Sequence, residues 1–131
     1  MKPSFLPDSS VCIQVLRNKT GLGKLPAPAC TGIPVIVAAE LWTGVKRNLS
    51  MHPHQAGRLE AFLSLFWIAD FNLDAALHYA AIRAELEAAG TPIGPLDLLI
   101  AAQARSLGAT LVTGNIDEFK RVQGLKVLGF K

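Results

Sequence analysis

The amino-acid sequence predicts a single α/β domain, residues 1–131, in which helices cover both faces of a central, mostly parallel sheet. Short apolar runs alternate with longer segments of helical periodicity, which is typical of this three-layer α/β/α arrangement. Half of the residues are apolar and 18% are charged, a composition that excludes intrinsic disorder. The apolar runs fall well short of the ~20 residues that a membrane-spanning helix needs.

Two strands are predicted in the first half of the chain. The first apolar segment, residues 5–7, ends at Asp8, and the run at residues 11–16 fits a strand or a helix equally well. Residues 20–34 hold three glycines and three prolines, which indicates a loop. The β-branched run at residues 34–37 predicts a buried strand that leads directly into a helix.

The second half alternates helices with short strands. Asn72 is the expected N-cap of the longest helix, and Gly90 and Gly108 are expected to end two helices. The elements expected after the first half are a helix at 55–65, a strand at 67–69, helices at 73–89 and 97–107, a strand at 110–113, a helical turn at 117–122 and a strand at 126–128.

Charge is distributed unevenly along the chain, although the net charge is only +3. Between residues 60 and 97 there are six acidic side chains and one basic side chain, Arg83. Basic residues cluster on either side of that stretch: Arg17, Lys19, Lys24, Lys46, Arg47, Lys120, Arg121, Lys126 and Lys131. Such clusters are typical of proteins that bind a polyanion, but ordinary solubilising charge explains them equally well.

The two cysteines form no zinc or redox motif, and two of the histidines lie in a predicted loop. Cys12 and Cys30 match neither a zinc motif nor a Cys-x-x-Cys motif, so both are expected to be reduced and unreactive, like small buried apolar residues. His52 and His54 flank a proline in a predicted loop and are expected at the surface. The N-terminus lacks the apolar stretch of a secretory signal, which favours a cytoplasmic protein.

Acidic and amide side chains follow the predicted strands or open the predicted helices: Asp8, Glu40, Asp97, Asn115 and Asp117. Because the carboxyl ends of parallel strands meet at one edge, we expect these side chains to crowd the same rim. Two carboxylates ~4 Å apart repel each other by about 4 kcal/mol at an effective dielectric constant of about 20, so such a cluster favours a divalent cation. An all-oxygen shell selects Mg²⁺ or Mn²⁺ rather than zinc. For any one of these acids alone, a helix cap is the simpler role.

Four segments resemble, in the same order along the chain, the signatures of the PIN-domain ribonucleases. They are LPDSSVCI at residues 6–13, AAELWTGV at 38–45, TPIGPLDLLIAA at 91–102 and LVTGN at 111–115. The third segment, with residues 82–87 before it, is similar to the VapC-type toxins of toxin–antitoxin pairs. Glu118, Phe119 and Val122 extend the similarity of the fourth.

The resemblance implies that Asp8, Glu40 and Asp97 are catalytic, metal-binding carboxylates. Asn115 takes the fourth acidic position of the family, with Asp117 as a substitute, while Thr113 and Ser10 support the site. The implied activity is that of an endoribonuclease that needs Mg²⁺ or Mn²⁺ and hydrolyses RNA with a metal-activated water. The implied partners are a second copy in a homodimer and a cognate antitoxin protein.

Three departures from the family pattern motivate an alternative hypothesis. Pro7 lies in the first strand, where it would delete a ladder hydrogen bond. Ser10 stands where the family has Asn or Asp, and Asn115 stands where it has an acid. The alternative is a catalytically degenerate homologue that binds antitoxin or RNA without cutting it.

Exposed aromatic side chains would suit the binding of an antitoxin helix. Four aromatic residues lie on predicted helices or at their ends: Trp42, Phe62, Phe66 and Trp67. Core packing is the expected role of most of them. At least one is predicted to be exposed, near the amino-terminal helices.

Overall fold

Five short strands alternate with helices along the chain. The computed structural model describes residues 2–18 and 21–130, so Met1, Lys19, Thr20 and Lys131 lie outside the described residues. The strands are β1 (Phe5–Pro7), β2 (Gly32–Pro34), β3 (Trp67–Ala69), β4 (Thr110–Thr113) and β5 (Lys126–Gly129). The α-helices are α1 (Ser9–Arg17), α2 (Val35–Arg47), α3 (Gln55–Leu63), α4 (Leu73–Ala88), α5 (Pro95–Leu107) and α6 (Ile116–Phe119).

The strands pair in parallel in two groups. Strand β4 lies between β1 and β5, while β2 pairs with β3. A single parallel bridge between Phe5 and Thr31 joins the two groups. The carboxyl ends of β1 and β4 therefore lie side by side, as the parallel α/β prediction requires.

The second strand is displaced from its predicted position. Residues 34–37 were expected to form it, but β2 ends at Pro34 and helix α2 begins at Val35. The β-branched run enters the helix with Val37 fully buried and Ile36 packed against the core, and such tertiary packing overrides local preference. Residues 11–16, which fitted a strand or a helix equally well, belong to α1. Two 3-10 turns, Gly21–Lys24 and Pro28–Cys30, lie in the predicted loop.

Helix ends agree closely with the capping signals. The Asn72 side chain accepts from the amide of Ala75 at 3.0 Å and so caps α4, as predicted. Gly90 and Gly108 both have a positive φ, which glycine adopts without steric cost, and they follow α4 and α5. Pro95 occupies the first turn of α5, where its missing N–H costs no helical hydrogen bond.

The core lies between the sheet and the helices. Fully buried side chains come from β1, β2, β4 and α5, among them Leu6, Ile33, Leu111 and Ile100. Cys12 is buried as expected, but the same expectation is wrong for Cys30, which is exposed at the end of a 3-10 turn. In the described ranges, no helix is long and apolar enough to cross a membrane.

The four aromatic residues divide as predicted. Phe62 and Phe66 are buried, with their ring centroids 5.0 Å apart, and Trp42 is partly buried. Trp67 is 37% exposed, which confirms that at least one of the four is at the surface, while its position near the amino-terminal helices stays a prediction. It lies on strand β3, where it pairs with Gly32 of β2.

Candidate active site

The carboxyl ends of β1 and β4 hold the most buried acid of the site, Asp8, which directly follows β1. One carboxylate oxygen accepts from the Ser10 hydroxyl at 2.9 Å and from the Val11 amide at 3.0 Å. The other accepts from the hydroxyl of Thr113, the last residue of β4. Three donors therefore fix the orientation of this carboxylate and satisfy its burial.

The strand that carries Asp8 tolerates its proline. Pro7 pairs with Val112 in the β1–β4 register and is the last residue of its strand. The next bond between the strands is donated by the Asp8 amide to the Val112 carbonyl at 3.0 Å. Pro7 thus leaves the hydrogen bonding of β1 to β4 intact, and the expected ladder defect does not disturb the position of Asp8.

Glu40 lies in α2, which begins one residue beyond β2. Its carboxylate accepts from the hydroxyl of Ser9, the first residue of α1. This contact ties α2 to the segment that carries Asp8. Ser9 was not singled out from the sequence, although its position next to Asp8 in a polar turn was a usable signal.

Asp97 lies in the first turn of α5, half-buried, within hydrogen-bonding reach of Glu118. Burial, which contributes most, the contact with Glu118 and the nearby charges of Glu118, Asp8 and Glu40 together raise the pKa of Asp97 from 3.8 to about 7. The three acids predicted from the sequence therefore lie close enough for their charges to act on one another.

The fourth acid is Glu118, not Asp117. Glu118 accepts from the Gly94 amide at 3.3 Å and from the Asn115 side-chain amide at 2.8 Å. The Asp117 side chain is 90% exposed and forms an ion pair with Lys120 at 3.2 Å, so the structure favours Glu118 over Asp117 at this position. Adjacent helical residues point about 100° apart, and Glu118, three residues after Asn115, is the one that shares its face.

The chemistry of these four side chains fits a hard divalent cation, because all of them supply carboxylate oxygens and their charges repel one another. A cation would relieve the repulsion that raises the pKa of Asp97. The oxygens are instead engaged by protein donors, and within residues 2–18 and 21–130 no three acidic, histidine or cysteine side chains are arranged to hold one ion. Carboxylates of the kind that Mg²⁺ or Mn²⁺ prefers are therefore present, but the described side chains are not arranged around an ion.

A groove opens beside Glu40 between α1, α2 and α3, with a volume of about 230 Å³. Its walls are mainly apolar, and Arg17 and Arg58 line it together with Glu40. Neither arginine forms an ion pair within the described part of the chain.

The sequence matches the model of the PIN domain family over residues 5–125. The chain belongs to the PIN domain family. The PIN domain resembles the tRNA(fMet)-specific endonuclease VapC of Shigella flexneri, with 36% identity over 93% of this chain and 94% of that protein. It is 41% identical to Ribonuclease VapC2 of Haemophilus influenzae, again over 93% of this chain and 94% of the relative.

Solved structures of VapBC complexes share the fold of this PIN domain. VapBC2 from Rickettsia felis, bound to a DNA fragment from its promoter, superposes with a TM-score of 0.88 and 33% identity over 97% of this chain and 98% of that one. DNA-bound VapBC from Salmonella typhimurium gives a TM-score of 0.86 and 32% identity over the same shares. The family and the fold predicted from the four sequence segments are confirmed.

Proposed function

We propose that this PIN domain is a metal-dependent endoribonuclease that acts as the toxin of a toxin–antitoxin pair. The observation that carries the proposal is that Asp8, Glu40 and Glu118, which come from distant parts of the chain, lie near enough to Asp97 for their charges to raise its pKa. None of them forms an ion pair within the described residues. Relatives that share about a third or more of the sequence are named as ribonucleases or as a tRNA endonuclease.

Asp8, Glu40 and Asp97 are the proposed metal ligands, and Glu118 adds a fourth carboxylate. Thr113 and Ser10 hold Asp8, Ser9 holds Glu40, and Asn115 holds Glu118. Bound at these residues, Mg²⁺ or Mn²⁺ would make the attacking water more acidic than bulk water and would stabilise the charge that develops on the scissile phosphate. The chain supplies carboxylates beyond the carboxyl ends of β1 and β4, the edge at which parallel sheets bind their ligands.

The degenerate homologue stays the alternative, and the contacts of the departing residues favour activity over it. Ser10 donates to Asp8, as an amide side chain at that position could. Asn115 donates to Glu118, which restores an acid at the fourth position. Both departures therefore support the carboxylate cluster.

Changing Asp97 to asparagine tests the proposal. We expect Asp97→Asn to lower the rate of RNA cleavage with Mn²⁺ by at least about 100-fold, because a ligand carboxylate is lost. Asp117→Asn is the matched control and should stay within about twofold of wild type, since Asp117 pairs with Lys120 outside the cluster. Cleavage that survives in Asp97→Asn, or in wild type with the metal chelated, would contradict the assignment.

An antitoxin is the proposed protein partner, as in the VapBC complexes that share the fold. The groove beside Glu40 supports a peptide segment as its occupant, because the apolar walls suit buried side chains and Arg17 and Arg58 suit acidic ones. A segment bound there would lie next to the carboxylates and obstruct their access to RNA.

A further inference from the structure

A second cavity, of about 340 Å³, lies between the C-terminal half of α4 and the segment at residues 92–95. The buried side chains of Leu86 and Leu98 line it. Tyr79, Arg83 and Glu87 contribute its polar lining from α4. A cavity of this size, lined by apolar side chains and a few polar groups, is compatible with a small-molecule ligand.

The segment at residues 92–95 separates this cavity from the carboxylates. Pro92 and Pro95 line the cavity. Between them, the Gly94 amide donates to Glu118, and a Cβ added at Gly94 would lie 3.6 Å from an Asp97 carboxylate oxygen. The cavity and the carboxylate cluster are therefore neighbours that share one wall.

The polar side chains of the cavity present donors and an acceptor side by side. Arg83 donates from Nε to one Glu87 oxygen at 2.8 Å and from Nη1 to the Tyr79 hydroxyl at 3.1 Å. These bonds orient the guanidinium and leave its Nη2 and the second Glu87 oxygen for a ligand. An arginine donor beside a carboxylate acceptor complements the edge of a purine, and an aromatic ring with prolines provides a stacking surface.

Arg121 adds positive charge on the outer side of the same segment. Its Nη1 donates to the Pro92 carbonyl at 3.3 Å, and it forms no ion pair among the described residues. The Arg83–Glu87 pair is nearly neutral, so phosphate attraction is expected at Arg121 and base contact inside the cavity.

We propose that the cavity of Tyr79, Arg83 and Glu87 binds one unstacked purine base of the RNA strand, next to the scissile phosphate. The inference rests on the proposed ribonuclease function and adds a source of sequence preference to it. Single-stranded RNA is recognised in this way, by stacking on aromatic side chains and hydrogen bonding to base edges.

The test is the cleavage pattern of a single-stranded RNA pool of random sequence, digested with Mn²⁺ and read by sequencing. Wild type should prefer a purine at one fixed position next to the cut. Arg83→Gln and Tyr79→Ala should reduce that preference by roughly 10- to 100-fold at this position only, and Tyr79→Phe should retain most of it. Glu85→Gln, an exposed acid on the same helix outside the cavity, is the control and should keep the wild-type pattern.

A wild-type pattern in the Arg83 and Tyr79 variants, or a wild-type preference for a pyrimidine or for no base, would overturn the inference while the nuclease assignment stands. If wild type cleaves no RNA with either metal, the proposed function fails. In that case, NMR at the Arg83 Nε–H during titration of wild type with purine and pyrimidine nucleoside monophosphates tests base binding in the cavity independently of cleavage. A shift with purines supports the base site, and no shift overturns it.

Discussion

Asp8 and Asp97 are both acids of the candidate site, but their surroundings differ. Asp8 accepts hydrogen bonds from Ser10, Val11 and Thr113, whereas Asp97 faces other carboxylates. Asp8 is held in place by these hydrogen bonds, whereas Asp97 is exposed to much of the repulsion between the carboxylates. Among the acids of the site, Asp97 is therefore the one whose protonation, or whose binding of an added metal ion, should change the stability of the protein most.

The raised pKa of Asp97 predicts a pH dependence of stability. Its pKa is about 7 in the folded protein against 3.8 as the ordinary value, so the folded state binds more protons between these pH values. The contribution of this group to the free energy of unfolding is thus present at low pH and is lost as the pH rises toward and through 7.

Urea unfolding with a chelator present, at pH 5 and at pH 8, measures this dependence. Asp97→Asn should remove most of the loss of stability between the two pH values, and Asp117→Asn should keep it. Mn²⁺ should restore stability at pH 8, because it binds the folded state. An Asp97→Asn variant with an unchanged pH profile would show that the effect belongs to another group.

Among the elements, β2 and α2 depend most on tertiary contacts that no sequence pattern displays. The continuous Val-Ile-Val run at residues 35–37 favours a strand, yet it forms the first turn of α2. Gly32 of β2 instead packs so closely that a Cβ would lie 2.8 Å from the Pro3 ring. Strand position here follows from the small size of Gly32 and the fixed φ of Pro34, which local propensity alone did not reveal.

Two glycines should respond in opposite directions to alanine. Gly32→Ala should lower the free energy of unfolding by about 1–3 kcal/mol, because Pro3 and the β2–β3 pair must shift to admit the methyl group. Gly57→Ala in α3, with no atom within 4 Å of the added Cβ, should raise it by about 0.5–1 kcal/mol through helix propensity. Denaturant melts at one pH compare the two, and a neutral Gly32→Ala would contradict the packing described for β2.

For the molecule as a whole, the order of strands and helices could be predicted because period and capping signals are local. The meeting of Asp8, Glu40 and Asp97 followed from the rule that parallel strands share a carboxyl edge. The sequence alone could not show whether Glu118 or Asp117 faces the other acids, since that depends on the rotation of the short helix α6. The cavity beside α4 depends on the path of a loop, which carries no periodic signal.

Exposed apolar side chains on β3 and α4 support the homodimer implied by the family resemblance. Trp67 and Ile68 of β3 and Leu73 and Leu77 of α4 are all exposed, and such groups often mark a protein interface. Light scattering should find a dimer for wild type and a monomer for Leu77→Asp, because a buried charge would oppose association. Met51→Asp, at another exposed apolar residue, should remain a dimer, and a dimeric Leu77→Asp would place the interface elsewhere.

The carboxylates come from both groups of strands, which the bridge between Phe5 and Thr31 joins. Glu40 follows β2 on one side, whereas Asp8, Asp97 and Glu118 belong to the half built on β1 and β4. Because the Ser9–Glu40 hydrogen bond crosses between the two groups of strands, a local opening that breaks it would move Glu40 away from the other three acids without global unfolding. An ion or a neighbouring chain that binds across the two groups would therefore also keep the four acids together.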